Sequence, residues 1–222
     1  MAGNLSHFSG GWSSVSVYNA GPMSQAQEIR KLVMEARNGN RDAFKTIYEI
    51  FGPRIYNFLY KLLGTRNEAE DATQQTFLTV LHQLGSLRNP DLLESWIYRI
   101  ARNEVYQKFR RKQVDSLDDD DSRPFAERAE DPRFQGQPEK ELLNEELRDV
   151  LSSVLQTIPL KLREVFILAV VDEMSYQEIS EIVGRSFLSV KKDIYRARLM
   201  AKEKLSRYTI WSNRISARKS DA

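Results

Sequence analysis

The chain has 222 residues, 41% of them hydrophobic and 29% charged, with a formal net charge of +2 at pH 7 and no cysteine. That length accommodates two small domains or one domain with tails, and the composition is globular rather than fibrous. Disulfides and thiolate metal sites are excluded. The longest apolar run, residues 165–171, is far short of the roughly 18 residues of a membrane span, and no secretory signal pattern occupies the first thirty residues, so a cytoplasmic protein without a membrane span is expected.

Residues 1–23 are rich in Gly, Ser and Asn without periodicity and read as a disordered N-terminal tail, with Met23 an alternative start at its end. A helical pattern begins near Ser24 (Ile29, Leu32, Val33, Ala36) and pauses at Asn38-Gly39-Asn40. It resumes with Ala43, Ile47, Ile50 and Phe51 and pauses again at Gly52-Pro53, each pause being turn chemistry. Further helices are predicted over residues 55–63, 67–84 and 95–112, which makes residues 24–112 an all-helical domain.

Residues 113–139 carry the run Asp118 to Asp121, further acids at Asp115, Glu127, Glu130, Asp131 and Glu139, and three prolines, the composition of an acidic linker. As a coil it would span about 28 Å and fully extended roughly 85 Å. Helical spacing returns at Leu142, Leu143, Leu147, Val150, Leu151, Val154 and Leu155, and Ile158-Pro159 opens a fresh helix carrying Val165, Phe166 and Ala169. No period-two pattern argues for a sheet. The expected fold class is all-α: two small helical domains, at residues 24–112 and 140–208, joined by a flexible acidic linker. Residues 209–222, with Trp211 and several bases, form a C-terminal extension.

The most specific local signal lies at residues 175–205. Ser175-Tyr176-Gln177-Glu178 is a capping box, Ile179, Ile182 and Val183 form one apolar face, and Gly184 supplies a left-handed end after about two turns. Ser186 can cap a second helix whose buried seam is Val190, Ile194, Ala197, Ala201 and Leu205. Its outward faces carry Lys191, Lys192, Tyr195, Arg196, Arg198 and Lys202. A short helix, a glycine turn and a basic helix with an exposed N-terminus is the geometry that places a recognition helix in the major groove of double-stranded DNA. From Lys191 onward bases far outnumber acids, which favours a polyanionic partner.

Catalysis finds no footing. Four consecutive acids in a linker lack the fixed geometry magnesium demands, and His7 and His82 stand alone, so no triad or zinc set can be assembled. No catalytic residue, metal site or cofactor is expected. A transcription regulator that binds DNA by itself would share the helix-turn-helix, and an adaptor could keep the fold for protein contacts alone.

The residues also resemble a family, the extracytoplasmic-function (group IV) sigma factors of bacterial RNA polymerase. The likeness covers about residues 25–207. It is carried in the second domain by Ile158-Pro159, Arg163 to Phe166, Ser175-Tyr176, Glu178-Ile179, Gly184, Ser186, Ser189 to Lys191 and Tyr195 to Arg198. In the first domain it is carried by Ala69-Glu70-Asp71, Gln74 or Gln75, Phe77, and Trp96 through Asn103. The resemblance implies a region 2-like domain, which binds core RNA polymerase and the −10 promoter element, and a region 4-like domain, which binds the −35 element. The function it implies is a sigma factor that directs promoter-specific transcription initiation, helps melt the −10 element and is held in check by an anti-sigma factor.

On that reading the helix around Asp71 docks on polymerase through Glu68, Asp71, Gln74, Gln75 and Leu78, while Ala69, Thr73, Phe77, Val80, Leu81 and Leu84 face inward. In the helix from Ser95, Ile97, Ile100, Ala101 and Val105 make the buried stripe. Arg99, Arg102, Asn103, Tyr106 and Arg110 lie outside it as −10 contacts, because phosphates need cations and unstacked bases need flat surfaces. Trp96 fits either core or DNA, and Arg88 and Asn89 fall in the preceding loop that would pocket a flipped base. For the −35 duplex, Lys191, Lys192, Arg196 and Arg198 suit phosphates, Tyr195 lies beside them, and Ser186, Phe187 and Ser189 stand nearer the base edges. Leu188 and Asp193 depart from the family pattern. An acid beside phosphates is unfavourable, so Asp193 is expected to point away or to pair with a neighbouring base.

Overall fold

The computed structural model describes the backbone of residues 22–115 and 151–220 and the side chains of residues 26–111 and 151–206. The expected tail at 1–23, the linker at 113–139 and the leucine pattern at 142–150 lie wholly or almost wholly outside the described residues. Described residues form helices and no strand, in the order α1 (Pro22–Arg37), α2 (Arg41–Leu63), α3 (Arg66–Gln83), two single 3-10 turns (Leu84–Ser86 and Pro90–Leu92) and α4 (Leu93–Asp115). Helical residues 151–157 (α5) precede α6 (Leu160–Val170), α7 (Tyr176–Val183) and α8 (Phe187–Ser220).

Each boundary has a local cause. Asn40 caps α2 by accepting from the amides of Asp42 (3.0 Å) and Ala43 (3.2 Å), and Gly64 ends it at φ 85°, its N–H donating to the Tyr60 carbonyl. The break expected at Gly52-Pro53 does not occur: α2 runs through Pro53 without interruption. Proline removes one donor and crowds the preceding turn. Ile47, Phe51, Ile55, Phe58 and Leu59 are buried on both sides of it, and this packing holds the helix together.

In the first half, α2 packs against α1, α3 and α4. Phe58 and Tyr98 are fully buried and meet edge to face at 5.1 Å, which fastens α4 to α2. In the second half, α6 packs on α8 and α7. The two halves also touch, α2 against α6 and α4 against α7, and their buried side chains form one apolar cluster. Gly64 sits at this seam. A Cβ there would come within 2.7 Å of the Gln156 side chain and push its amide aside, while the left-handed cap is what requires glycine. The C-terminal extension expected from residue 209 is no separate element, since α8 continues to Ser220.

Arg163, only 6% exposed, is the polar fastener of the seam. Its guanidinium donates to the Leu62 carbonyl at the end of α2 (2.6 Å), to the Ile158 and Gln156 carbonyls (3.0 and 2.9 Å) and to the Gln156 side chain, while Gln156 donates to the Lys61 carbonyl (3.2 Å). Cations are favoured at helix C-termini, where carbonyls lack intrahelical partners. Replacing Arg163 by Met keeps the bulk but strands these carbonyls. The expected cost is about 2–4 kcal/mol in urea unfolding; a loss below about 0.5 kcal/mol would show that the seam does not depend on this residue.

Candidate nucleic-acid interface

The helix-turn-helix forms as its residues dictate. The Glu178 amide donates to Ser175 Oγ (3.3 Å), the Ser175 amide donates to Glu178 Oε2 (2.8 Å), and Gly184 takes φ 65° with its N–H on the Ser180 carbonyl. Ser186 Oγ accepts from the Ser189 amide (3.4 Å), opening α8. Val190, Ile194, Ala197 and Ala201 are buried and Leu205 half-buried. Lys191, Lys192, Tyr195, Arg196 and Arg198 all face solvent, with Ser186 and Phe187 exposed at the helix start and Ser189 half-buried. Leu188 is 76% exposed at the tip of this surface, and Phe187 packs against Tyr176 at 6.0 Å.

Asp193 does not belong to the exposed basic face. It is 5% exposed, and its Oδ2 pairs with Arg185 Nη1 at 2.5 Å, so the neighbouring base comes from the turn after Gly184. Arg185 Nη2 in turn pairs with Glu164 Oε1 at 2.5 Å, and Glu164 Oε2 pairs with Arg102 Nε at 2.8 Å. Glu164 is completely buried, and burial pushes its carboxyl above the ordinary range despite the two guanidiniums. A line of charges therefore runs from the recognition helix through α6 into α4.

On α4, Ile97, Ile100, Ala101 and Val105 are buried as the spacing requires. Arg99, Asn103 and Arg110 are exposed; Arg102, Tyr106 and Trp96 are half-buried. Trp96 packs against the core, which is the core-side alternative left open by its sequence. The Arg102 guanidinium lies over the Tyr106 ring at 4.3 Å. Burial, then the neighbouring Glu164 charge, pushes the Tyr106 hydroxyl up to about 12. Arg99 donates to the Glu181 carbonyl of α7 (3.1 Å). In the preceding loop, Asn89 accepts from the Asp91 amide (3.1 Å) and Arg88 is exposed. This loop is braced by α1, where Arg30 pairs with Asp91 (2.5 Å) and Arg37 donates to the Leu84 carbonyl (3.1 Å) and the Leu87 carbonyl.

On α3, Asp71, Gln74, Gln75 and Leu78 share one exposed stripe. Glu68 stands at its edge, half-buried, accepting from Thr65 Oγ1 (3.0 Å) and pairing with Lys108 (3.4 Å). Leu81 departs from the expected inward set: it is 49% exposed and lengthens the stripe beyond Leu78. The helix tightens into a 3-10 turn at Leu84–Ser86, and there Leu84, not Leu81, turns into the core.

Residues 47–114 match the Sigma-70 region 2 family and residues 148–200 the Sigma-70, region 4 family. The chain is 29% identical over 183 residues to the ECF RNA polymerase sigma factor SigW of Bacillus subtilis (strain 168), covering 80% of this chain and 96% of that one. It is 30% identical over 176 residues to the RNA polymerase sigma factor YlaC of the same organism, covering 76% and 95%. It belongs to the extracytoplasmic-function sigma factors of RNA polymerase. A similar fold is found in the sigma factor RpoE solved in complex with the anti-sigma factor NepR from Bartonella quintana, with TM-score 0.62, 23% identity, and coverage of 73% of this chain and 96% of that one. A further match, CnrH solved in complex with the cytosolic domain of CnrY, has TM-score 0.59 and 23% identity and covers 81% and 98%. As members of this family do, the chain serves promoter-specific transcription initiation. No helix among the described residues is long and apolar enough to cross a membrane.

In this sigma factor the sequence reading missed the polar seam of Arg163, Glu164, Arg185 and Asp172. The signal was present: adjacent ionic residues in the apolar stretch of α6, and an arginine directly after the turn glycine. Asp172 follows α6, where its amide donates to the Ile167 carbonyl (3.0 Å) and Glu173 adopts φ 54°. Its carboxyl faces Lys61, Tyr98, Arg54 and Glu94 of the first half. Burial pushes Asp172 up to about 6, against the attraction of Lys61, and burial lowers Lys61 in turn.

A carboxyl that holds its proton more tightly when folded stabilises the fold at low pH and loses that contribution as pH rises through about 6. Asp172→Asn is therefore expected to flatten the dependence of the thermal midpoint on pH between about 4.5 and 7. An unchanged slope would show that the group does not titrate at the seam.

Proposed function

We propose that this sigma factor divides its work among three surfaces. The α3 stripe of Asp71, Gln74, Gln75 and Leu78, with Glu68 at its edge, docks on core RNA polymerase. The outer face of α4 and its preceding loop, comprising Arg88, Asn89, Trp96, Arg99, Arg102, Asn103, Tyr106 and Arg110, binds and helps open the −10 element. The basic face of α8, comprising Ser186, Phe187, Ser189, Lys191, Lys192, Tyr195, Arg196 and Arg198, reads the −35 duplex. Such a protein acts in the cytoplasm with its polymerase, needs no cofactor and performs no catalysis of its own. An anti-sigma factor belongs to the same reading, since the RpoE relative was solved with one.

The observation that carries the division is the contrast between surfaces. The α8 face is basic, exposed and mounted on a capped helix-turn-helix, which suits duplex phosphates and base edges. The α4 face combines guanidiniums with Tyr106, which suits unstacked bases. The exposed part of the α3 stripe is polar with an apolar end and carries no base among these residues. Two DNA-binding ends on one chain fit a subunit that polymerase holds at two promoter elements. Elements about 25 base pairs apart are separated by roughly 85 Å of B-DNA, so the two halves must bind well apart.

Transcription in vitro with bacterial core polymerase over a promoter library tests the reading: specific starts are expected only when the protein is added. A tight footprint by the free protein, without core, would mark an ordinary DNA-binding regulator. Lys191→Ala together with Lys192→Ala is expected to weaken initiation about tenfold or more and to reduce the logarithmic salt slope of duplex binding by about 2, one unit per phosphate contact. Unchanged transcription in this double variant would favour an adaptor.

A further inference from the structure

The tip of the α8 surface is apolar, which attraction to a polyanion does not explain. Leu188 is 76% exposed, the most exposed large hydrophobic side chain among the described residues, so it contributes little to the fold by burial. Phe187, just before it, leans on Tyr176 of α7, whereas Leu188 stands on the open side of the first turn, just past the Ser186 cap. At 3.6 residues per turn, Leu188, Tyr195 and Leu199 fall within about 40° of one another and form a ridge along the outside of α8. Tyr195 is 64% and Leu199 50% exposed. Lys192 and Arg196 flank the ridge on one side and Lys191 and Arg198 on the other, all four exposed.

An apolar ridge between two rows of cations has the cross-section of a helix lying in the major groove, where phosphates line both walls and base edges form the floor. The one alkyl group on that floor is the thymine 5-methyl. We infer that Leu188 is a specificity-determining residue of the duplex-reading helix: its side chain packs on a thymine 5-methyl group and makes one thymine of the −35 element preferred over cytosine. The inference rests on the −35 role given to α8 above. Two observations favour this occupant over a protein surface. The cations on both sides of the ridge complement duplex phosphates, and Leu188 lies in the first turn of the second helix of a helix-turn-helix, where side chains reach base edges. Cytosine at that position would lose the methyl contact and bring its N4 amino group against a side chain that can accept no hydrogen bond.

The test uses the full-length chain assembled with bacterial core polymerase. Initiation from a promoter library randomised across the −35 element is sequenced for wild type, Leu188→Ala and Leu188→Met. Synthetic promoters then carry deoxyuridine in place of each −35 thymine in turn, which deletes the methyl group and leaves every hydrogen-bonding group of the base in place. Promoter affinity of the assembled enzyme is read by fluorescence anisotropy.

Wild type is expected to select thymine at one position and to lose about fourfold in affinity when that thymine alone becomes deoxyuridine, the effect of one buried methyl group. Leu188→Ala is expected to accept cytosine there and to be indifferent to the same replacement, and Leu188→Met to keep the preference. Equal sensitivity to deoxyuridine in wild type and Leu188→Ala overturns the assignment, because a coupled pair must lose its coupling when either member is removed. A Leu188→Ala defect uniform over all −35 sequences overturns it too, as the result of a ridge that meets a protein surface. So does the absence of any thymine preference in wild type. In each of these cases specific, core-dependent initiation by wild type leaves the sigma reading standing. A wild type that initiates at no specific promoter overturns that reading together with this one.

Discussion

A carboxylate with no access to water must be surrounded by positive charge, and Glu164 sets this condition for the whole chain. Its exposure is nil, and its two oxygens are taken by Arg185 from the turn of the helix-turn-helix and by Arg102 from α4. Removing one partner of a buried pair costs about 3–5 kcal/mol, because the remaining charge is left uncompensated. Arg185, which leaves the turn just after Gly184, also pairs with the buried Asp193, so the same guanidinium ties α6 to the start of α8. The helix-turn-helix, to which duplex binding is ascribed, and α4, to which single-strand binding is ascribed, are joined through one side chain.

The basic residues of this protein therefore exist in two states. On α8, Asp193, the acid that interrupts the basic sequence, is buried against Arg185, and the outer face keeps Lys191, Lys192, Arg196 and Arg198 exposed. Those on α4 are partly matched by carboxylates and carbonyls of α6 and α7. Net charge hides the distinction, since a guanidinium counts the same whether it faces solvent or a carboxylate. Only the geometry separates a surface ready for a polyanion from one already answered.

Much of the fold was legible because its signals are local. The capping box at Ser175, the left-handed glycines at 64 and 184, and the stripe of Ile97, Ile100, Ala101 and Val105 depend on spacings of a few residues, which sequence displays directly. The break assigned to Gly52-Pro53 failed because a local penalty was outweighed by packing of Phe51, Ile55 and Phe58 against residues distant in sequence. Leu81 was misplaced because its apolar character was weighed above its spacing: it stands three residues after Leu78 and seven after Gln74, on the exposed stripe of a regular helix. Of the site, the exposed faces were readable. The seam was not, since the pairing of Arg102 with Glu164 spans 62 residues and nothing in either neighbourhood names the other.

The same seam explains why this chain places polar groups where an apolar contact would suffice. Apolar side chains such as Ile158 and Leu155, members of the cluster shared by the two halves, favour closure but give no preferred partner once separated. Arg163, Gln156 and Glu164 behave differently, because each bond they make across the seam is one that water, phosphate or a second protein group can replace. Closure is then specific in orientation while its cost of opening is divided among exchangeable bonds. A fully apolar seam would leave the relative orientation of the two halves to shape alone, whereas these polar bonds fix how they meet.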